Sequence, residues 1–592
     1  MLDRFRMLPR ALAALLAQTL VPATVFAQLA DVRPGDEPIE LPRYEEAPPS
    51  GVAQPPLLEL PEVPSFTPPP RPRGDVLPPL ELPSGADTAG LEGGAQALVR
   101  EVRVVGNTVL AAETLEDVLS PYLDRELSFE DLQQLRDDLT LAYVERGYVT
   151  SGAVIPSQSL QDGILEVWVV EGRVTAIDVK SDGRLRDVYV RQRLERAIGP
   201  PVDVNELERA LQILQQDSLI KSVNAQLVPG ERRGEAVLRV AVAEARSWNV
   251  RLAGNNYSSP AIGGGRGELR ASWQNVTGFG DTLWAEYKAG VGLQDVRAHW
   301  EWPISPWDTQ FEIHFRKTWS EVVEAPFDQF DISSQTDTYG FELSQPVYRS
   351  QNVNAEAFVI GEYRRSDSFL FDEHFSFVPG PDNGIVEMTV LRFGGSYTWR
   401  DRNQVVAARS MVSAGLPWLG ATRNSGSGVP DAEFIAWLTQ LQWARRFPEA
   451  IGLQIVARGD VQISDRPLFG LEQFAVGGHS TVRGYRENRF VRDNGAVGSL
   501  ELRLPVPMPS WREWRPTFEI APFYDVGYSW NSDRGEIGDQ LLMSIGVGGR
   551  FGLSEGLDFQ IYWGHDLKDV VNPGDATLQD DGVSLGVVWQ WP

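Results

Sequence analysis

From Trp248 to the C-terminus the chain is built of short segments in which apolar and polar residues alternate one by one. In Gln310–Arg316 the apolar Phe311, Ile313 and Phe315 share one face, while Gln310, Glu312, His314 and Arg316 share the other. Val296, Ala298, Trp300 and Trp302 oppose Arg297, His299 and Glu301, and Leu500, Leu502 and Leu504 oppose Glu501 and Arg503. Leu283, Ala285, Tyr287 and Ala289 oppose Thr282, Glu286 and Lys288, with Trp284 the one misfit. A period of two belongs to a β-strand, whose successive side chains point to opposite faces. About sixteen such segments fit between Trp248 and Trp591, each with room for the roughly 9–11 residues of a tilted membrane-crossing strand.

A soluble sandwich would show the same alternation, so the decision rests on other features. Of the 18 Trp, only Trp168 precedes Trp248, and this aromatic load in a Gly-rich region suits two girdles at the membrane–water interfaces. Arg4, Arg6 and Arg10 lead into an apolar run ending near Ala17, and Val25-Phe26-Ala27 places small residues where a signal peptidase cuts. Residues 1–27 therefore read as a secretory signal peptide. Gln18, Thr19 and Pro22 break the run short of the about 20 apolar residues a membrane helix needs, and no later stretch is long enough. A chain that crosses a bilayer without helices must close its strands into a barrel, because lipid offers no partner to an open sheet edge. The expected fold of residues 247–592 is an all-β transmembrane antiparallel β-barrel of about 16 strands around water.

Residues 28–95 hold 16 of the 41 prolines and twelve acids against four Arg. Proline removes backbone donors, so this reads as an extended acidic linker without a core. Two small α+β units follow, at 96–172 and 173–246, each in the order β-α-α-β-β. In the first, a strand Val99–Val105 precedes a short helix near Ala112–Leu119. A second helix starts at Ser128, a hydroxyl cap, and buries Leu132, Leu135, Leu139 and Ala142/Tyr143. Arg146-Gly147 closes it, and strands at Tyr148–Ile155 and Ile164–Val170 complete the unit. The second unit repeats this with strand Val174–Val179, helix Val188–Ile198, a helix capped by Asn205, and strands Val223–Val228 and Ala236–Val242.

Several functions are excluded early. A formal net charge of −27 opposes nucleic-acid binding. The absence of Cys removes thiol nucleophiles, disulfides and Cys-ligated metals, and the five His show no HExxH or paired spacing. No metal, cofactor or catalytic cluster is therefore expected, and His299 and His314 read as pore-wall polar residues.

The connection 465–494, between strands near Leu453–Ile463 and Gly495–Leu504, is too long for a simple turn. It contains Gly477-Gly478 and then Val482-Arg483-Gly484-Tyr485, which presents a cation at a glycine turn. In the following strand, Phe518–Tyr528, alternation puts Asp525 on the lumen face with Glu519, Ala521, Phe523 and Gly527. The GG…VRGY segment, with Phe523-Tyr524-Asp525-Val526-Gly527 downstream, resembles the fold-back loop and wall strand of the Bam-type and two-partner secretion superfamily. Arg146-Gly147-Tyr148 through Pro156, with Val169-Val170-Glu171-Gly172, resembles the first POTRA domain of two-partner transporters. Two such units behind a Pro-rich segment resemble a TpsB transporter of the haemolysin secretion/activation type.

The resemblance implies that the POTRA domains bind the N-terminal secretion domain of one large exoprotein in the periplasm. It implies that the barrel, expected as a monomer in outer-membrane lipid, secretes that exoprotein without ATP. Arg483 is then expected to pair with the wall residue Asp525. An assembly factor of the Bam type is the alternative. The family's helical pore plug is not expected here, since residues 28–60 contain seven prolines and no helical stripe.

Overall fold

The computed structural model describes residues 97–591 apart from a few short segments, the longest being 534–539. The expected signal peptide, the acidic linker and any plug lie outside the described residues.

The first unit comprises β1 (Ala97–Val99), β2 (Glu101–Val105), α1 (Ala112–Leu119), β3 (Arg125–Leu127), α2 (Phe129–Val144), β4 (Gly152–Val154) and β5 (Ile164–Val170). Its sheet has β5 at the centre, parallel to β2 and antiparallel to β4. Two details depart from expectation. The strand expected at Val99–Val105 is divided, because the amides of Arg100 and Glu101 both turn to the Gly163 carbonyl and β1 pairs instead with the short β3. Residues 148–151 form a turn, closed by Ser151 N donating to Tyr148 O, so only Gly152–Val154 remains of the expected strand. Ser128 caps α2 in a reciprocal box: its hydroxyl accepts from Asp131 N, and the Asp131 carboxylate accepts from Ser128 N. Leu132, Leu135, Leu139, Ala142 and Tyr143 of α2 are buried against β5 residues Leu165, Val167 and Val169.

The second unit repeats the plan with β6 (Arg173–Ser181), α3 (Asp187–Glu195), α4 (Val204–Gln215), β7 (Ile220–Pro229) and β8 (Glu235–Glu244). Here β8 is central, parallel to β6 and antiparallel to β7. The cap of α4 is Asp203, whose carboxylate accepts from Asn205 N at 2.8 Å, so Asn205 lies inside the helix it was expected to cap. Helix α3 ends at Glu195, three residues before the expected Ile198.

The barrel strands are β9 (Trp248–Asn255), β10 (Arg266–Gln274), β11 (Thr282–Gly290), β12 (Leu293–Pro303), β13 (Gln310–Glu321), β14 (Ser333–Arg349) and β15 (Val353–Leu370). The two-residue β16 (Glu373–His374) extends the hairpin that joins β15 to β17 (Ile385–Arg400). Strands β18 (Gln404–Leu416), β19 (Ile435–Phe447) and β20 (Leu453–Ser464) continue the wall. Strands β21 (Phe474–Val476) and β22 (Phe490–Arg492) pair only with each other, inside the long connection. The wall resumes with β23 (Asn494–Val506), β24 (Thr517–Trp530), β25 (Leu541–Leu553), β26 (Leu557–Asp566) and β27 (Val583–Trp591), and β27 pairs with β9 to close it. Leaving out β16, β21 and β22, sixteen antiparallel strands form the barrel.

The alternation sorts as a lipid face and a lumen face. Tyr287, Ile313, Phe341, Leu500 and Tyr524 are exposed on the outside, and Glu286, Arg364, Arg392, Glu501 and Asp525 are buried on the inside. Trp284 breaks its strand's pattern because it belongs to the lumen wall: the Arg270 guanidinium lies 3.8 Å above its ring and the His299 ring stacks at 3.8 Å. Among the described residues no helix is long and apolar enough to cross a membrane. The second α+β unit docks on the turns at one end of the barrel. Arg193 pairs with Asp308 at 2.6 Å, Arg196 donates to Pro306 O at 2.9 Å, and Arg186 N donates to Gly278 O at 2.9 Å.

Candidate functional site

The connection between β20 and β23 folds back into the lumen, and its glycines explain how. Gly477 and Gly478 hold φ of +108° and +103°, a left-handed geometry that side chains resist. Gly477 N donates to Thr481 Oγ1 at 2.9 Å and Gly478 N to Val482 O at 3.0 Å, which reverses the chain at the loop tip. A Cβ on Gly478 would meet the Glu487 carboxyl at 2.2 Å. Gly484 has φ +92°, and a Cβ there would lie 3.0 Å from the backbone of Gly564 in β26, so loop and wall touch backbone to backbone.

That approach delivers Arg483 to the wall. Its Nε donates to Asp525 Oδ2 at 2.8 Å, its Nη2 to Asp525 Oδ1 at 2.9 Å, and its backbone N to Oδ2 at 3.1 Å. Ser499, opposite Asp525 in the β23–β24 register, donates to Oδ1 at 2.6 Å. Nη1 binds Glu501, whose other oxygen accepts from Arg503 Nε at 2.6 Å. The guanidinium lies 3.7 Å from the Phe523 ring centre and 4.9 Å from that of Tyr562. Arg483 is 7% exposed and Asp525 0%. Two cations and two carboxylates thus balance in a largely buried part of the wall, where charge-assisted bonds are strong and an unpaired charge is costly.

Val482 and Tyr485 flank the arginine with different roles. Val482 is buried with Val476, Tyr485, Phe490, Val497 and Leu542. The Tyr485 hydroxyl lies 2.8 Å from Met543 O and 2.9 Å from Lys568 O, which share its proton. The structure therefore brings Val482, Arg483, Gly484, Tyr485, Gly477, Gly478 and Asp525 into one assembly.

Two further anchors were not foreseen in the sequence. Nearer the start of the loop, Glu472 accepts from Arg364 Nη1 at 2.9 Å and from Arg392 Nη2 at 2.7 Å and Nη1 at 2.9 Å; these arginines stand on β15 and β17. Beyond the motif, Arg486 pairs with Glu324 at 2.7 Å and with Asp580 at 2.5 Å, both in connections between wall strands. No local pattern marks Glu472 or Arg486, because their partners lie 80 residues or more away along the chain. The loop is thus clamped at three places. Among the described residues of this assembly, the geometry is that of a loop held in a polar lumen by ion pairs.

Comparison with known proteins places this architecture. The sequence profile described as "Haemolysin secretion/activation protein ShlB/FhaC/HecB" matches residues 234–551, and that described as "POTRA domain, ShlB-type" matches residues 97–172. "Outer membrane transporter CdiB" of Dickeya dadantii is 21% identical over 444 residues, covering 74% of this chain and 76% of that protein. "Hemolysin transporter protein ShlB" of Serratia marcescens is 26% identical over 414 residues, covering 68% and 71%. The solved structure of CdiB from Escherichia coli is similar in fold, with a TM-score of 0.62 at 19% identity over 86% of this chain and 93% of that one.

Proposed function

This chain belongs to the haemolysin secretion/activation family of outer-membrane transporters, and from that premise we propose that its two periplasmic units capture one large exoprotein and pass it outward through the barrel. It is an outer-membrane transporter of the two-partner secretion class, with its POTRA region in the periplasm. Secretion accounts for these relatives better than the assembly-factor alternative.

The rest is our reading. Residues 173–246 act as a second POTRA domain, on the strength of their shared element order with the first. The exoprotein's N-terminal secretion domain binds by adding a strand to an open sheet edge; β2 and β7 are each edge strands in their sheets. The chain works as a monomer in the membrane, and its work is transport rather than catalysis. Without ATP in the periplasm, direction comes from capture on one side and folding on the other. The polar lumen suits an extended passenger, whose backbone groups need partners that water and charged walls supply.

The observation that carries this reading is the buried Arg483–Asp525 pair, which makes the loop a closed plug on the passenger's path. A passenger can enter only when that plug yields. The test is deletion of residues 96–246. The barrel is expected to insert and secretion to stop, because capture sits in the periplasmic units. Export at the intact rate by the truncated barrel would overturn the assigned division of labour.

A further inference from the structure

The lumen wall holds a group of side chains that the transport reading does not use. His299 on β12 and His314 on β13 face each other directly in the strand register. Glu312, two residues before His314, turns its carboxylate between them: Oε1 lies 2.9 Å from His299 Nδ1 and 3.2 Å from His314 Nδ1. One donor atom from each of the three residues lies within 4.8 Å of the others.

The second row of contacts orients these donors. His314 Nε2 is 3.3 Å from Glu362 Oε1, so an Nε2–H bonded to that carboxylate leaves Nδ1 as a lone pair aimed at Glu312. A carboxylate behind a histidine is the arrangement that fixes the tautomer of metal-binding imidazoles. The His299 ring is stacked on Trp284 at an interplanar angle of 13°, which holds its plane.

The surroundings also favour a cation. Glu301 is opposite Glu312, and Glu312 is opposite Glu342, giving a row of three carboxylates across three strands. Among the described residues, no ion pair to Glu301 or Glu342 falls within 4.0 Å, whereas Glu312 meets only the two histidines.

We propose that His299, His314 and Glu312 form a binding site for a divalent transition-metal ion, zinc being the reference case, on the lumen wall. Two imidazoles and one carboxylate are a familiar zinc donor set, with water completing the coordination. An ion about 2.0–2.1 Å from each donor sets them about 3.3 Å apart, close to the 2.9 and 3.2 Å that separate Glu312 Oε1 from the two Nδ1 atoms. The ion ties β12 to β13 four residues before Pro303, near the turn that meets the second periplasmic unit. Spacing along the chain gave no hint of this site, because the register of two strands assembles it.

The test uses the untagged full-length protein, folded in lipid or detergent, stripped with a chelator and titrated with Zn²⁺ and with Co²⁺. One ion per chain is expected to bind, with a cobalt absorption spectrum of low-coordinate nitrogen and oxygen ligation. His299→Gln and His314→Gln should each weaken binding at least tenfold, and Glu362→Gln about tenfold, as loss of an orienting carboxylate does. Binding should also weaken with acidification, since protons compete for both imidazoles. Heat-modified gel migration reports which variants keep a folded barrel. If folded wild type shows no such cobalt spectrum, or if folded His299→Gln and His314→Gln variants bind the ion as tightly as wild type, the site does not exist. Should both histidine variants fail to fold, folded Glu362→Gln carries the comparison, and binding there as tight as in wild type overturns the site.

Discussion

Asp525→Ala is the perturbation whose size the structure sets most clearly. The buried carboxylate accepts four hydrogen bonds, three from Arg483 and one from Ser499. Its loss leaves the Arg483 guanidinium with Glu501, which Arg503 also claims, and with the Phe523 ring. Breaking a buried ion pair by removing one member costs about 3–5 kcal/mol. Because Glu501 and the ring remain, the lower end applies, about 3 kcal/mol, or roughly a hundredfold in the loop's opening equilibrium. The chain has no native Cys, so Val482→Cys supplies a single thiol, at a position 0% exposed while the loop is seated. With opening fast relative to labelling, maleimide modification of this thiol should quicken about a hundredfold in the Asp525→Ala background. Ser499→Ala removes the hydrogen bond to Asp525 and the one its hydroxyl accepts from Arg483 Nη2 at 3.1 Å, and should give a smaller rise, about tenfold, or about 1.4 kcal/mol. In a double-mutant cycle Arg483→Ala and Asp525→Ala should be strongly non-additive. Labelling within twofold of the parent, or additive effects, would refute the claim that this pair holds the loop.

Other expectations follow from particular contacts. Gly484→Ala forces a side chain against the Gly564 backbone at positive φ and should cost about 2–3 kcal/mol of loop seating, read as faster labelling of the same thiol; Gly564→Ala, whose Cβ would meet Gly484 Cα at 2.8 Å, should reproduce it. Glu472→Gln leaves Arg364 and Arg392 to share Glu362, and should loosen the start of the loop by about 3 kcal/mol, measured with a reporter thiol at Ala475. Asp203→Ala should lower the stability of the second periplasmic unit by about 1 kcal/mol, visible as faster hydrogen exchange in α4. The Ser128 hydroxyl and amide hold the Asp131 carboxyl below its ordinary value, so this carboxylate stabilises α2 above the unfolded pKa and ceases to as pH falls through the folded one. The protection of α2 amides against exchange, taken relative to the intrinsic rate at each pH, should therefore fall on acidification, and Asp131→Asn should flatten that dependence.

The sequence made the wall strands legible because lipid enforces an apolar face at every second residue, and a slip of one would turn charges into the bilayer. Trp284 broke the pattern for a physical reason: the lumen is polar overall but accepts a ring sandwiched between Arg270 and His299. Residues 482–485 stood out through glycine and charge at a turn, and Asp525 through its strand's alternation, but that the two meet was expected only from the family resemblance. Glu472 with Arg364 and Arg392, and Arg486 with Glu324 and Asp580, were not foreseen, since a charge on a lumen face reads as solvated until the fold supplies its partner. The boundary errors in the small units are local. Asp203 and Asn205 are both competent caps two residues apart, and only the backbone selects between them. Likewise, the turn at Tyr148–Ser151 competes with extension of β4 through a single backbone hydrogen bond.

The central claim is that this barrel exports one dedicated protein. Its most direct measurement is a quantitative comparison of secreted, surface and outer-membrane proteins in cells carrying the intact gene, no gene, or the gene with Arg483→Ala. Loss of a single large secreted or surface protein without the gene, restored by wild type and strongly reduced with Arg483→Ala, is the result the account predicts. A general decline of outer-membrane proteins with no such specific loss would contradict it, and would assign the barrel to assembly instead.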